Sequence, residues 1–233
     1  MTKSTSSFQL SDELIARVRA DRNVVGVVHS GSRGRGSYVT EQSDWDYFIV
    51  VRELRGEYPS EHGDRIEYSE ITLERLADPP EWARPALLSV DLLLDKTGEV
   101  AAALSTATTV DPATAGEPLD GYINMYYRSA KNARVGLELG SLLDAQESIP
   151  WFLQFVFNVH GRVRPYNKWL EWELREHPLP VEVDLERLRR IATTGDIAAQ
   201  QSLFREAERL ARDAGLAALI DGWEPDVTWL RGE

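Results

Sequence analysis

The sequence predicts an α/β (α+β) protein: an N-terminal mixed sheet with flanking helices, followed by a C-terminal α-helical bundle. Three observations carry this. Short apolar and β-branched runs of strand length recur through the first half, set apart by glycine, proline and acidic turns. From about Gly121 onward the apolar spacing changes to the helical period and stays there. Between the two, Asp111-Pro112-Ala113-Thr114-Ala115-Gly116-Glu117-Pro118 has the composition of a linker, which places the expected domains at 1–112 and 117–233.

The elements follow in order. Ser11 and Asp12 read as the cap of an amphipathic helix through Ala20, with Leu14, Ile15 and Val18 on one face. Val24-Val25-Gly26-Val27-Val28 is a first strand, closed by His29 and Ser30 and broken by Gly31, Gly34 and Gly36. Asp44 to Val51, Arg65 to Thr72 and Val90 to Leu94 read as three further strands. A short helix, Leu73 to Asp78, and a proline-rich break separate the last two, and the fourth strand ends at the turn Asp95-Lys96-Thr97-Gly98. The second half reads as helices Tyr122 to Leu143, Ile149 to Gly161, Pro165 to Glu176, Leu185 to Ala192 and Ala198 to Ala214.

Composition narrows the function classes. The 233 residues carry a formal net charge of −12, which disfavours a nucleic-acid partner, since that binding draws on a basic surface and counterion release. Net acidity serves solubility or attracts a cationic partner. With no cysteine there is neither disulfide nor thiolate metal site, and His29, His62, His160 and His177 are too scattered for a zinc pair. No apolar run reaches a membrane span and the N-terminus carries no export signal, so a soluble, cytoplasmic protein is expected. The sequence leaves the oligomeric state open.

The chemistry concentrates between Gly31 and Val51. Asp44 and Asp46 alternate with Trp45, so on a strand both project to one face, about 6–7 Å apart. Two like charges at the head of the apolar run Tyr47 to Val51 call for a raised pKa or a cation. Mg²⁺ suits such a pair, because it accepts one or two carboxylates and takes further ligands from substrate phosphates. Gly31 and Ser32, in a turn without side-chain bulk, allow backbone N–H groups to approach those phosphates. A third carboxylate would complete the site by taking the proton of an attacking hydroxyl or by joining the metal ligands. Glu67 is the candidate; Glu70, on the opposite face of the same strand, and Asp91 are its competitors.

A glycine-serine turn followed by Asp-x-Asp entering a strand, here Gly31-Ser32 and Asp44-Trp45-Asp46, resembles the polymerase-β-like nucleotidyltransferase superfamily. The pattern is most similar to the aminoglycoside and other antibiotic adenylyltransferases, where Glu67 resembles the position that supplies a base and the helical half fits the two-domain plan. The resemblance implies ATP as nucleotide substrate, Mg²⁺ bound by Asp44, Asp46 and Glu67, and a second Mg²⁺ on the triphosphate. It also implies cations lent by the helical domain. Arg128 and Lys131 stand three apart on a helix, so they share a face, with a solvated surface as the plain alternative. The segment His160-Gly161-Arg162-Val163-Arg164-Pro165-Tyr166-Asn167-Lys168-Trp169 resembles the basic turn of the adenylyltransferases with two extra residues; Lys168 is the expected phosphate contact, with Arg162 or Arg164 as substitutes.

Trp169 and Trp172 could stack on a base or belong to the core, and His29 reads as structural. Glu171, Glu173 and Glu176 read as a solvated face or as contacts to a cationic acceptor. The expected acceptor is a small hydroxylated cation of the aminoglycoside kind. A partner protein hydroxyl, or nucleotide sensing without turnover, is the alternative.

Overall fold

The computed structural model describes residues 12–58 and 66–233. Ser11, His62 and Arg65 lie outside the described residues. The chain divides into two compact units, Met1–Thr108 and Thr109–Glu233.

The first unit opens with helix α1 (Asp12–Ala20), whose C-terminal carbonyls are closed by a distant cation: Lys96 Nζ donates to the Val18 and Asp21 oxygens, at 2.7 Å each. Strand β1 (Val24–Ser30) is buried throughout and runs into a single helical turn, α2 (Gly31–Arg35). Then come β2 (Trp45–Val51), β3 (Ile66–Thr72), α3 (Leu73–Ala77), a 3₁₀ segment at Glu81–Leu87, β4 (Asp91–Asp95) and α4 (Glu99–Ala107). The sheet order is β3-β2-β1-β4. β1 lies antiparallel to both β2 and β4, and β2 lies parallel to β3, so the sheet is mixed.

Each face of the sheet has its own core. Val27, Tyr47, Ile49 and Val51 pack with Leu14, Ile15 and Val18 of α1 on one side. Val28, Val50, Phe48 and Ile71 pack with Leu76 of α3 and Val100, Ala103 and Ala107 of α4 on the other. The sequence reading passed over α4, whose small-residue run has little helical stripe. Its start is made by Asp95, whose carboxylate accepts from Gly98, at 2.8 Å, and Ala101, at 2.9 Å.

In the second unit, Pro112–Ala115 forms a 3₁₀ turn capped by Asp111, and α5 (Gly116–Arg134) starts at once, ahead of the expected Tyr122. Its antiparallel mate is α6 (Glu138–Val159). The expected break between Leu143 and Ile149 does not occur. The chain reverses at Gly136, which takes φ 75°, with Gly136 N–H bonded to Ala133 O and Leu137 N–H to Asn132 O, while Pro150 sits within an unbroken helix. A 3₁₀ turn at Asn167–Trp169 leads into α7 (Leu170–Glu176), later than the expected Pro165. α8 (Leu185–Thr194) and α9 (Ile197–Asp213) are capped by Asp184 and Asp196. Two short helices that the sequence reading did not mark, α10 (Ala217–Asp221) and α11 (Asp226–Arg231), close the bundle; the Tyr126 hydroxyl donates to Leu230 O at 2.9 Å inside it. Tyr122, Ile123, Phe155, Phe157, Leu203 and Phe204 fill its centre. Among the described residues, no helix is long and apolar enough to cross a membrane.

Candidate active site

The site stands where β1 ends and β2 and β3 begin, on the α3/α4 side of the sheet. In the antiparallel β1–β2 ladder Ser30 opposes Asp46, and in the parallel β2–β3 ladder Asp46 pairs with Glu67. Opposed residues share a face, so Ser30, Asp46 and Glu67 form a row across adjacent strands, which lie about 4.8 Å apart. Asp44 stands one residue before β2 and is exposed.

Electrostatics ties the three acids together. The Asp46 carboxyl is held above its ordinary value, first by burial, then by the charges of Glu67 and Asp44. Asp46 therefore feels the charge of both other acids. The three are not drawn into a closed ligand cage: among the described residues, no group of three or more His, Asp or Glu side chains is gathered to hold a metal ion. Asp44 lies outside the strand, so no ladder fixes its side chain against the other two.

Of the competing third carboxylates, Glu70 pairs with Ile49 on the opposite face, where its carboxylate accepts the N–H groups of Arg55, at 3.3 Å, and Gly56, at 3.1 Å. That is a loop anchor. Asp91 opposes His29, also on the far face, and is exposed. The register thus sets Glu67 beside Asp46.

Gly31 and Ser32 do not form an open glycine loop; they begin the single turn α2. Gly31 has φ 67°, and a Cβ placed on it would lie 2.1 Å from Asp46 Oδ2. The missing side chain is therefore the space that the Asp46 carboxylate occupies. Ser30 Oγ donates to Asp46 O at 3.4 Å, a long contact that adds little.

Behind the row lies a support that the sequence reading passed over. Arg33 Nε donates to Ser43 O at 2.9 Å and its guanidinium lies 4.5 Å from the Trp45 ring centroid, so α2 grips the residues on either side of Asp44. Trp45 stacks on His29, at 5.2 Å, and His29 on Tyr47, at 4.6 Å. The signal was present as aromatic residues alternating with the aspartates. His29 faces away from the carboxylates and is 6 % exposed; its Nε2 is buried without a hydrogen-bond partner, and burial lowers its pKa, with Asp91 opposing and Arg33 adding to the shift.

The expected cations of the second unit occupy three kinds of place. Arg128 pairs with the buried Asp144 at 3.0 Å, which also accepts from Asn132, at 2.8 Å, so this cation ties α5 to α6. Lys131 is exposed, with Nζ 5.8 Å from the Tyr127 ring centroid. Lys168 is exposed in its 3₁₀ turn, with Nζ 5.0 Å from the Trp169 ring centroid. Arg162 bonds the buried Glu173 at 2.5 Å and His177 O at 2.7 Å, and Arg164 bonds Asn167. Trp169 is 5 % exposed and meets Trp172 edge-on, which puts the pair in the packing of the bundle.

No protein-family model matches the chain, and no curated protein does. Among solved structures it is similar to a nucleotidyltransferase-like protein from Exiguobacterium sibiricum 255-15, with 11% sequence identity, a TM-score of 0.44, and coverage of 84% of this chain and 78% of that one.

Proposed function

We propose that the protein is a Mg²⁺-dependent nucleotidyltransferase that moves a nucleoside monophosphate, AMP from ATP, to a hydroxyl of a small cationic acceptor, with release of pyrophosphate. The single observation that carries this reading is the row of carboxylates across β2 and β3. Asp46 and Glu67 sit side by side, Asp44 acts on the same charge, and the backbone of Gly31 abuts Asp46.

The donor set suits a hard divalent ion: all oxygen, with the Asp46 carboxyl pushed up first by burial and then by the neighbouring charges of Glu67 and Asp44, which a bound cation would offset. Asp44 and Asp46 would hold Mg²⁺, with Glu67 within their field. Bound there, the ion would neutralise charge on the phosphates of the nucleotide. Glu67 would accept the proton of the attacking hydroxyl, which lets the new ester bond to the α-phosphorus form as the bond to pyrophosphate breaks. The backbone at Gly31 and Ser32 would meet the phosphates where no side chain intervenes. Of the cations expected from the second unit, Arg128 is engaged by Asp144. The net charge of −12 supports a cationic acceptor through long-range attraction.

The test uses purified full chain, each nucleoside triphosphate in turn, Mg²⁺, and a panel of aminocyclitol, lincosamide-type and protein acceptors, with pyrophosphate as readout. Release that depends on both metal and acceptor is expected. Nucleotide binding with no release for any acceptor would instead identify a sensor and sink the transferase reading. Adenylylation of a co-purifying protein would retain the chemistry and replace the acceptor.

A further inference from the structure

Asp44 and Asp46 are placed by different means. Asp46 lies in β2, where pairing with β1 and β3 fixes its backbone, whereas Asp44 stands one residue before the strand and is exposed. Two carboxylates that share one ion must be held within about 0.5 Å of the right geometry, so something other than the ladder has to hold Asp44.

The residues on both sides of Asp44 are held by one side chain. Arg33 Nε donates to Ser43 O at 2.9 Å, and the same guanidinium covers Trp45, its carbon 4.5 Å from the ring centroid. Ser43 is also tied into its own turn: its N–H donates to Thr40 O at 3.1 Å, and its Oγ accepts from Thr40 N–H at 2.9 Å. Trp45 is backed by the His29 ring at 5.2 Å, in a stack that continues to Tyr47. Arg33 has little freedom to follow a moving loop, because α2 is pressed against its surroundings. A Cβ on Gly34 would stand 2.1 Å from His29 O, and one on Gly31 2.1 Å from Asp46 Oδ2. Cation, turn and ring thus form a bracket anchored on the end of β1, with Asp44 between its arms.

We propose that Arg33 is the positioning residue for Asp44, holding Ser43 and Trp45 so that the Asp44 carboxylate is kept in place as a ligand to a divalent cation. The proposal rests on the Mg²⁺ reading of the site. Charge and position make opposite demands here, which gives the test its sign. The positive charge of Arg33 repels a cation at Asp44, so removing that charge alone would tighten metal binding. Loss of a residue that orients a ligand weakens metal binding instead, by about 10–100-fold.

Mn²⁺ binding to the nucleotide-free full chain, followed by electron paramagnetic resonance, separates the two. Arg33→Gln is expected to weaken Mn²⁺ binding about tenfold or more, with far-UV circular dichroism unchanged. Arg33→Lys keeps the charge and one donor for Ser43 O but loses the planar contact with Trp45, and should fall between Arg33→Gln and the wild type. Arg33→Gln that binds Mn²⁺ as tightly as the wild type, or more tightly, would overturn the proposal. Should that variant fail to fold, Arg33→Lys decides: weaker binding supports the bracket, and unchanged binding overturns it. A wild type that takes up no Mn²⁺ would remove the metal reading and the role of Arg33 together, whereas wild-type uptake with unaltered affinity in the variant removes the role of Arg33 alone.

Discussion

Replacing Gly31 by alanine tests the contact on which the proposed site turns. Gly31 has φ 67°, a region costly for any residue with a Cβ, and its new Cβ would stand 2.1 Å from Asp46 Oδ2. That separation is far inside van der Waals contact, so the carboxylate must rotate away. The backbone strain costs about 1–2 kcal/mol and the forced rotamer about 1 kcal/mol, giving a loss of roughly 2–3 kcal/mol in urea unfolding. Gly36 provides the matched control: its φ is 69°, yet nothing lies within 4 Å of the corresponding Cβ. Gly36→Ala thus pays the backbone cost without touching Asp46. Displacing the proposed metal-binding carboxylate by about 1 Å is expected to cut turnover on the order of 10²-fold. Pyrophosphate release should accordingly fall in Gly31→Ala and hold in Gly36→Ala, at a temperature where both are folded. Equal activity in the two variants would refute the reasoning, since Asp46 would then have moved without consequence.

Further outcomes follow from the charges around the site. Asp46→Asn should abolish pyrophosphate release while raising the thermal midpoint at neutral pH. The Asp46 carboxyl is raised above its ordinary 3.8, so the folded state binds the extra proton, and the associated stability, present below pH 3.8, is lost as pH rises through the folded value. The stability gain of the variant should vanish in melts run below that pH. His29 shows the opposite sign: its pKa is lowered from 6.5, so stability is lost as pH falls below 6.5 through the folded value. His29→Phe should flatten that part of the pH–stability curve. Arg162→Ala leaves Glu173, 4 % exposed, without its cation and should cost about 3 kcal/mol in chemical unfolding. A loss near zero would free Arg162 for a role other than this ion pair.

Strand signals were legible in the sequence because β1, β2 and β4 have short apolar centres beside breakers and β3 carries the strand formers Ile66, Tyr68, Ile71 and Thr72; all four fall within a residue or two of their expected limits. Helix limits were less so. The expected break between Leu143 and Ile149 does not form: α6 runs through it and through Pro150, and the reversal falls instead at Gly136, where a positive φ is needed. The α4 start depends on Asp95, a residue that locally reads only as part of a turn.

By itself, the sequence determined the strand segments and the switch from strand to helical period, since both follow from spacing along a single element; Asp44, expected on the strand with Asp46, stands just before β2, outside the ladder that would fix a shared face. The sequence put Glu67 first but left Glu70 and Asp91 as competitors, and it could not show which of the expected cations are held in ion pairs. Those answers depend on which strand lies beside which, and in what register: Glu67 is set next to Asp46, Glu70 is turned to a loop, Arg128 is spent on Asp144 and Arg162 on Glu173. Pairing between residues far apart in the chain is decided by the packing of whole elements, and no local pattern encodes it.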